Sequence, residues 1–237
     1  MVNIPIITAL VPMKGHSERV PNKNIRQIAG KPCFHWIMES LSKSKYIAEI
    51  VINTDSDIIA ESARENFNVT ILKRPDYLCG DMVSIQPLIA YDISQTKGEF
   101  YLQTHSTNPL LTPDTIDEAI EVFFDQTKHD ALFSVTPLKT RFYWPDGTAV
   151  NHDPNNLIRT QDLSPIYEEN SCIYIFSSET NIKFKSRLGS RPMMFPINRL
   201  EAVDIDDWED FFLAEYLLNL RKDVFWFNGK LNNRPLY

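Results

Sequence analysis

Cysteine is scarce and unpaired: 237 residues carry three, Cys33, Cys79 and Cys172, far apart in the chain. The count is odd and no CxxC or Cys/His ligand spacing occurs. This argues against a disulfide framework or a zinc site and points to a reducing compartment. Long hydrophobic runs are also missing. The apolar stretch near the start, from Ile4 to Pro12, covers nine residues without a basic leader, whereas crossing a bilayer takes about 20. A cytoplasmic protein with no membrane partner is therefore expected. Positive charge is in deficit, with 24 Lys and Arg against 31 Asp and Glu for a net −7. Neither a phosphate backbone nor an anionic lipid surface attracts such a molecule, so nucleic acid is not an expected partner. A local basic pocket for a small anion remains open. Internal repeats, low-complexity tracts and flexible linkers are absent, so residues 1–237 read as one domain.

What is present is an ordinary globular composition, 43% hydrophobic and 23% charged. Short β-branched runs (Ile6–Val11, Glu49–Asn53, Phe100–Gln103, Ala131–Val135, Cys172–Phe176) read as strands, the first buried on both faces. Between them, residues 32–42, 56–65 and 112–124 show helical spacing, and Asp206 or Asp207 caps a last helix to about Leu220. Thr112-Pro113 places a capping hydroxyl before a proline at the first helical position. Alternation of this kind predicts an α/β three-layer sandwich with a mainly parallel sheet, whose ligands gather at the carboxyl ends of the strands. Residues 137–170, with four prolines and Phe142-Tyr143-Trp144, are too long for a routine connection and read as a lid, a small hairpin or a subunit contact. A tail follows from about residue 221 to 237, aromatic from Val224 on, and is expected to pack on the body or on a partner.

Five polar clusters could carry chemistry. After the first strand, Lys14, Arg19 and Lys23 fall within ten residues together with Gly15 and Ser17, a composition suited to wrapping a polyphosphate or, more blandly, to a solvated basic loop. It is neither a Walker A loop nor GxGxxG. Asp204 and Asp206, at i and i+2 of an extended chain, project to one side and suit a shared Mg²⁺, although acids before a helix often serve only as caps. Asn53-Thr54-Asp55 with Arg74 and Asp81 lie at strand ends and suit a base or ribose. The run Gln103-Thr104-His105-Ser106-Thr107-Asn108 follows a buried strand and reads as a ligand pocket. Arg159 suits a bidentate carboxylate contact, and Asn170 and Tyr174 suit sugar hydroxyls. Cys172, inside an apolar run, reads as core.

In this order the segments KGHSERVPNKNIR, AGKP, NTDSD, RPDYLCGD, LQTHSTNPL, YEENSCIYI and VDIDDWED resemble the acylneuraminate cytidylyltransferases, the CMP-sialic acid synthetase family, over roughly residues 5 to 220. The resemblance implies a Rossmann-like nucleotidyltransferase, usually a homodimer. In that family the anomeric hydroxyl of an acid sugar attacks the α-phosphate of CTP with Mg²⁺ present and pyrophosphate leaves. Carried over, Lys14, Gly15, Ser17, Lys23 and Asn24 form the phosphate loop. Lys23 neutralises charge developing on the α-phosphoryl group, with Lys14 and Asp206 as the other catalytic residues. Asn24 and Arg74, with backbone near Val83 and Ser84, face the cytidine. Gln103, Asn170 and Tyr174 line the sugar pocket with Arg159, and Asp204 and Asp206 hold Mg²⁺. Lys14 stands where the family commonly has arginine, His16 replaces a frequent glycine or asparagine, and Glu18 replaces a frequent lysine. The leading expectation is CTP-dependent activation of a 3-deoxy-2-keto acid sugar, most simply a nonulosonic acid. A GT-A-like glycosyltransferase or a non-catalytic nucleotide-sugar binder would share some of these features, but neither uses every polar cluster.

Overall fold

In the computed structural model, residues 4–222 are described; the expected tail from Val224 to Tyr237 lies outside them. Strands are Ile7–Leu10 (β1), Gln27–Ile28 (β2), Lys31–Pro32 (β3), Ile47–Thr54 (β4), Thr70–Lys73 (β5), Phe100–Gln103 (β6), Ala131–Leu138 (β7), Ile166–Ser177 (β8) and Pro192–Pro196 (β9). Helices are Cys33–Lys43 (α1), Asp57–Asn66 (α2), Ile85–Gln95 (α3), Pro113–Phe124 (α4), Ser178–Phe184 (α5) and Trp208–Lys222 (α6). Seven strands form one sheet in the order β5-β4-β1-β6-β8-β7-β9. The pairs β5–β4, β4–β1, β1–β6 and β7–β9 are parallel, and β8 alone runs against both its neighbours. The mainly parallel α/β architecture thus matches the sequence pattern.

Alternation along the strands splits the core into two faces. Ile7, Ala9, Ile50, Ile52, Leu102 and Ile173 meet the apolar sides of α1, α2 and α4. Leu10, Val51, Tyr101, Tyr174 and Phe176 meet Ile89 and Ile93 of α3. On α1, Phe34, Ile37, Met38 and Leu41 are buried at helical spacing, each contributing about 1.5–3 kcal/mol of burial free energy. Thr112 caps α4 through the amide of Thr115 with Pro113 in the first turn, as the sequence predicts. Pro32 is not the first residue of α1 but its N-cap, because it closes the short strand β3. A third cluster packs Phe211, Ala214 and Leu218 of α6 on Val20, Ile28 and Cys33. The β2–β3 turn behind it has positive φ at both Ala29 (48°) and Gly30 (93°), the backbone of a two-residue hairpin.

The expected excursion is shorter than 137–170, because β7 and β8 pair as far as Leu138 opposite Ile166. Residues 139–165 remain outside the ladder and include a small hairpin, with Tyr143 bridged to Ala149 and the Trp144 amide donating to Thr148 at 2.8 Å. Within the ladder the register slips between Phe133 and Val135, opposite Ser171, whose φ is 58°. This bulge re-aims the chain next to the site.

Candidate active site

The polar clusters converge where β1, β4 and β6 end and where the antiparallel β8 begins its buried half. Loop 11–24 leaves β1 with its pairing extended, Val11 donating to Val51 at 2.9 Å and Met13 to Asn53 at 3.0 Å. Buried Met13 and Val20 pin the loop at both ends, and Asn24 braces it. The Asn24 side-chain amide donates to the Lys14 carbonyl at 2.8 Å, and its oxygen accepts from Ser106 Oγ at 2.7 Å. The structure therefore spends Asn24 on shaping the loop, where the resemblance had it face the base. Gly15 is required by close approach. Its amide donates to Asp55 Oδ1 at 2.7 Å, and a Cβ there would stand 2.8 Å from Cβ of Ser56. Gly15→Ala is accordingly expected to displace the loop and raise KM for a polyphosphate substrate about tenfold. Adding Ser56→Gly should restore it, since glycine is a tolerable N-cap for α2; steady-state kinetics on the single and double variants check this.

The loop cations are held by acids across the site. Lys14 pairs with Asp81, and Arg19 Nη2 lies 2.6 Å from Asp206 Oδ1. Lys23 donates to the Ile205 carbonyl and stands 3.7 Å from Asp206 Oδ1. The segment carrying Asp206 is anchored by the Ile205 amide, which donates to the Thr107 carbonyl at 3.0 Å, and by the buried Ile205 side chain. Asp207 caps α6 through the amides of Glu209 (2.9 Å) and Asp210 (3.1 Å), which leaves Asp204 and Asp206 for other work. His105 Nδ1 lies 3.8 Å from Asp204 Oδ2. Burial pushes the Asp204 carboxyl up, but the polar surroundings from His105 and Thr107 and the Lys23 charge prevail and hold it below its ordinary value. Asp204 Oδ1 is buried without a hydrogen-bond partner among the described residues. Two carboxylates, one presenting an orphaned oxygen, fit a hard divalent cation such as Mg²⁺. Among the described residues no group of three His, Cys, Asp or Glu side chains could hold a metal, so water and phosphate oxygens would complete the shell.

On the β4–β5 side, buried Arg74 donates through Nε to Asn53 Oδ1 (2.9 Å) and through Nη2 to the Asn53 carbonyl (3.0 Å). Asn53 Nδ2 in turn donates to Asp92 Oδ1 at 2.5 Å. Desolvation lowers the Arg74 guanidinium from its ordinary value and pushes the Asp92 carboxyl up to about 6, against the Asn53 bond and the Arg74 charge. Ser84 is exposed at the N-cap of α3 and spends no side-chain bond on that cap. Asp92 escaped the sequence reading, as an acid inside a helix carries no motif.

On the β6–β8 side, Gln103 lies opposite Tyr174 in the ladder. Gln103 Oε1 accepts from Arg187 Nη1 at 2.6 Å, and that guanidinium stacks 3.5 Å from the centroid of Tyr174. The Tyr174 hydroxyl donates to Glu169; burial first, then that bond and the Glu169 charge, push the phenol up to about 12 against the Arg187 charge. Arg187 and Glu169 are additions the sequence did not single out. Asn170 is brought near but is occupied: it accepts from Ser134 Oγ (2.6 Å) and donates to Thr136 (3.0 Å), fixing the bulge. Arg159 is not brought to this cluster. It is exposed on the excursion and paired with Asp162 at 2.6 and 3.1 Å. Lys14, Gly15, Lys23, Asp204 and Asp206 are gathered on one side and Gln103 with Tyr174 on the other. Ser17 lies partly exposed in the phosphate loop.

A basic loop, a carboxylate pair and polar strand ends on such a sheet suit nucleotidyl transfer. Residues 8–226 match the family model described as cytidylyltransferase, and the chain belongs to that family. It is 28% identical over 233 residues to the CMP-N,N'-diacetyllegionaminic acid synthase of Legionella pneumophila, covering 92% of this chain and 98% of that protein. It is 26% identical over 225 residues to the pseudaminic acid cytidylyltransferase of Campylobacter jejuni, covering 90% and 97% respectively. In fold it is similar to a solved CMP:2-keto-3-deoxy-manno-octonic acid synthetase complexed with CTP, at TM-score 0.67, 13% identity and 91% and 99% coverage. The chain is thus a cytidylyltransferase and an enzyme. No helix among the described residues is long and apolar enough to cross a membrane.

Proposed function

We propose that the enzyme transfers the cytidylyl group of CTP to the anomeric hydroxyl of a nonulosonic acid, giving the CMP-sugar and pyrophosphate. The observation that carries this reading is the convergence of Arg19 and Lys23 of the basic loop on Asp206, with Asp204 within the field of Lys23 and Lys14 held by Asp81. The naming of the relatives for diacetyllegionaminic, pseudaminic and acylneuraminic acids supports the substrate class. The anomeric oxygen bonds to the α-phosphorus, the bond from that phosphorus to the bridging oxygen breaks, and pyrophosphate departs as the hydroxyl proton is lost to solvent. CTP phosphates draw Lys14 away from Asp81 and Arg19 and Lys23 away from Asp206, so the cations pass from carboxylate to phosphate partners. Lys23, the least exposed of the three, stabilises charge at the transferred group, where partial burial makes it most effective. Asp204 and Asp206 would hold Mg²⁺, which when bound supplies charge neutralisation to the phosphates. Most of the remaining catalysis is positioning. Mass spectrometry of the product, in a reaction with CTP and a nonulosonic acid, should show one CMP joined to one sugar; free CMP or unchanged CTP would contradict the reading.

We also propose a homodimer working in the cytoplasm. Tyr143, Trp144, Leu157 and Ile158 on the excursion are exposed large apolar residues, as are Trp208, Phe212 and Tyr216 on α6, more than a solitary surface tends to leave open. Solution scattering at assay concentration is expected to give twice the chain mass; a monomer mass would leave the excursion as a lid. The three cysteines are free thiols, two of them buried, which suits a reducing compartment.

A further inference from the structure

We infer that Asp92 is a positioning residue for nucleotide binding: it fixes the Asn53 amide, Asn53 clamps one edge of the Arg74 guanidinium, and the other edge is thereby aimed at the nucleoside. This rests on the proposed function and on Arg74 facing the cytidine of CTP, as the family resemblance implies, and adds the buried acid behind it.

Asp92 lies on α3 among Leu88, Ile89 and Ile93, all buried, where helical spacing calls for an apolar residue. It is 1% exposed, and its Oδ2 has no hydrogen-bond partner among the described residues. Such a carboxylate is costly to bury unless an opposite charge or hydrogen bonds compensate it. Its Oδ1 accepts from Asn53 Nδ2 at 2.5 Å. An ionised carboxylate only accepts, so it turns the Asn53 amide nitrogen toward itself and the amide oxygen toward Arg74. That oxygen takes Arg74 Nε at 2.9 Å and the Asn53 carbonyl takes Nη2 at 3.0 Å, two bonds along one side of the guanidinium. With the amide reversed, its N–H would meet the Nε–H and the clamp would open.

The clamp leaves the end of the fork, Nη1 with the second hydrogen of Nη2, and Nη1 donates to no group among the described residues. Arg74 is 7% exposed, and Asp92 offsets its charge through Asn53. That end therefore suits an uncharged acceptor on a base or ribose, while phosphates are drawn to Lys14, Arg19 and Lys23. Few charges act on the cluster. Arg74 acts on Asp92, and Asp55, the Cys79 thiol and Asp92 act on Arg74; the Tyr101 hydroxyl is bonded to Thr96. Burial holds the Asp92 carboxyl up at about 6, against the Asn53 bond and the Arg74 charge. Its negative charge is thus gained as pH rises through that value. Once protonated it can donate as well as accept, and the direction of the Asn53 amide is no longer imposed.

The test is equilibrium binding of CTP and of CMP, which needs no acid sugar, to wild type and Asp92→Asn from about pH 5 to about pH 8. Asparagine keeps the shape and, like a protonated Asp92, can donate as well as accept. Each dissociation constant is taken as a ratio to wild type at the same pH, which cancels the titration of the nucleotide itself. At about pH 8 Asp92→Asn is expected to weaken both ligands by about 5–10-fold, and equally, because the lost contact lies on the nucleoside. At about pH 5 the ratio should approach one, since position 92 is then neutral in both proteins. Arg74→Lys, which keeps the charge without the fork, should lose at least as much at the upper end. Combining Asn53→Asp with Asp92→Asn places an acceptor-only group directly beside Arg74 and should recover most of the loss. A ratio near one throughout overturns the inference. So does a loss that is the same at both ends of the pH range, which would make Asp92 merely structural. A loss for CTP without one for CMP would put Arg74 on the polyphosphate, and wild-type affinity in Arg74→Lys would remove it from the nucleotide; either overturns the inference. A wild type that binds CTP but releases no pyrophosphate with any acid sugar fails the proposed function alone.

Discussion

Lys23→Ala is expected to lower kcat/KM for CTP by about 10²–10³-fold, the scale of losing a preorganised charge aimed at a transferring phosphoryl group. Lys23 is the loop cation with the most restricted solvent access, its side chain 15% exposed against 42% for Lys14 and 64% for Arg19. Its neighbours cannot replace it. Lys14 reaches toward Asp81, and Arg19 approaches Asp206 from the open side. The same substitution removes a donor from the Ile205 carbonyl, a loss of about 1 kcal/mol in stability. Steady-state kinetics with a parallel urea titration separate the two effects. Wild-type rate and CTP affinity in the variant would show that the loop is merely solvated.

Asp206→Asn is expected to lower kcat by at least about 10²-fold, with a stability change under about 1 kcal/mol. The carboxylate is 52% exposed and its Arg19 partner 64% exposed, so the ion pair is screened and worth little to the fold. Asp207, not Asp206, caps α6, so the helix start survives the change. Asparagine keeps the shape but halves the oxygen donors and removes the charge that a divalent cation needs. The activity remaining in Asp206→Asn should also need more Mg²⁺ for half-maximal rate. A near-wild-type rate at low Mg²⁺ would remove Asp206 from the metal pair.

Much of this architecture is legible in the sequence, and the exceptions have physical reasons. Strands β1 and β6 are short apolar runs buried at the centre of the sheet, and α1 and α4 carry clean helical stripes. Helix α3 lies outside the helical stripes that the sequence shows; its Pro87 is tolerated in the first turn, where the absent N–H is an orphan anyway. Strand β9 begins and ends with proline, which only an edge strand tolerates. The apolar pattern marks β8 only from Cys172, since Glu168 and Glu169 interrupt it although they lie in the ladder with β7. In the site, loop 14–24 and Asp204/Asp206 were legible because charge of one sign clusters locally. Arg187 was not, since its meaning comes from Gln103, 84 residues away. Asn24 and Asn170 were identified, but their amides are spent on the loop and the bulge, a distinction that residue type does not encode.

The most direct test is pyrophosphate release by the wild-type enzyme with Mg²⁺, each of the four nucleoside triphosphates, and a panel of nonulosonic and octulosonic acids. Release is expected with CTP alone among the four triphosphates, and only when a nonulosonic acid is present. Measurable CTP binding without release for any acid would contradict it and would turn attention to His16 and Glu18 as marks of a loop that binds without catalysing.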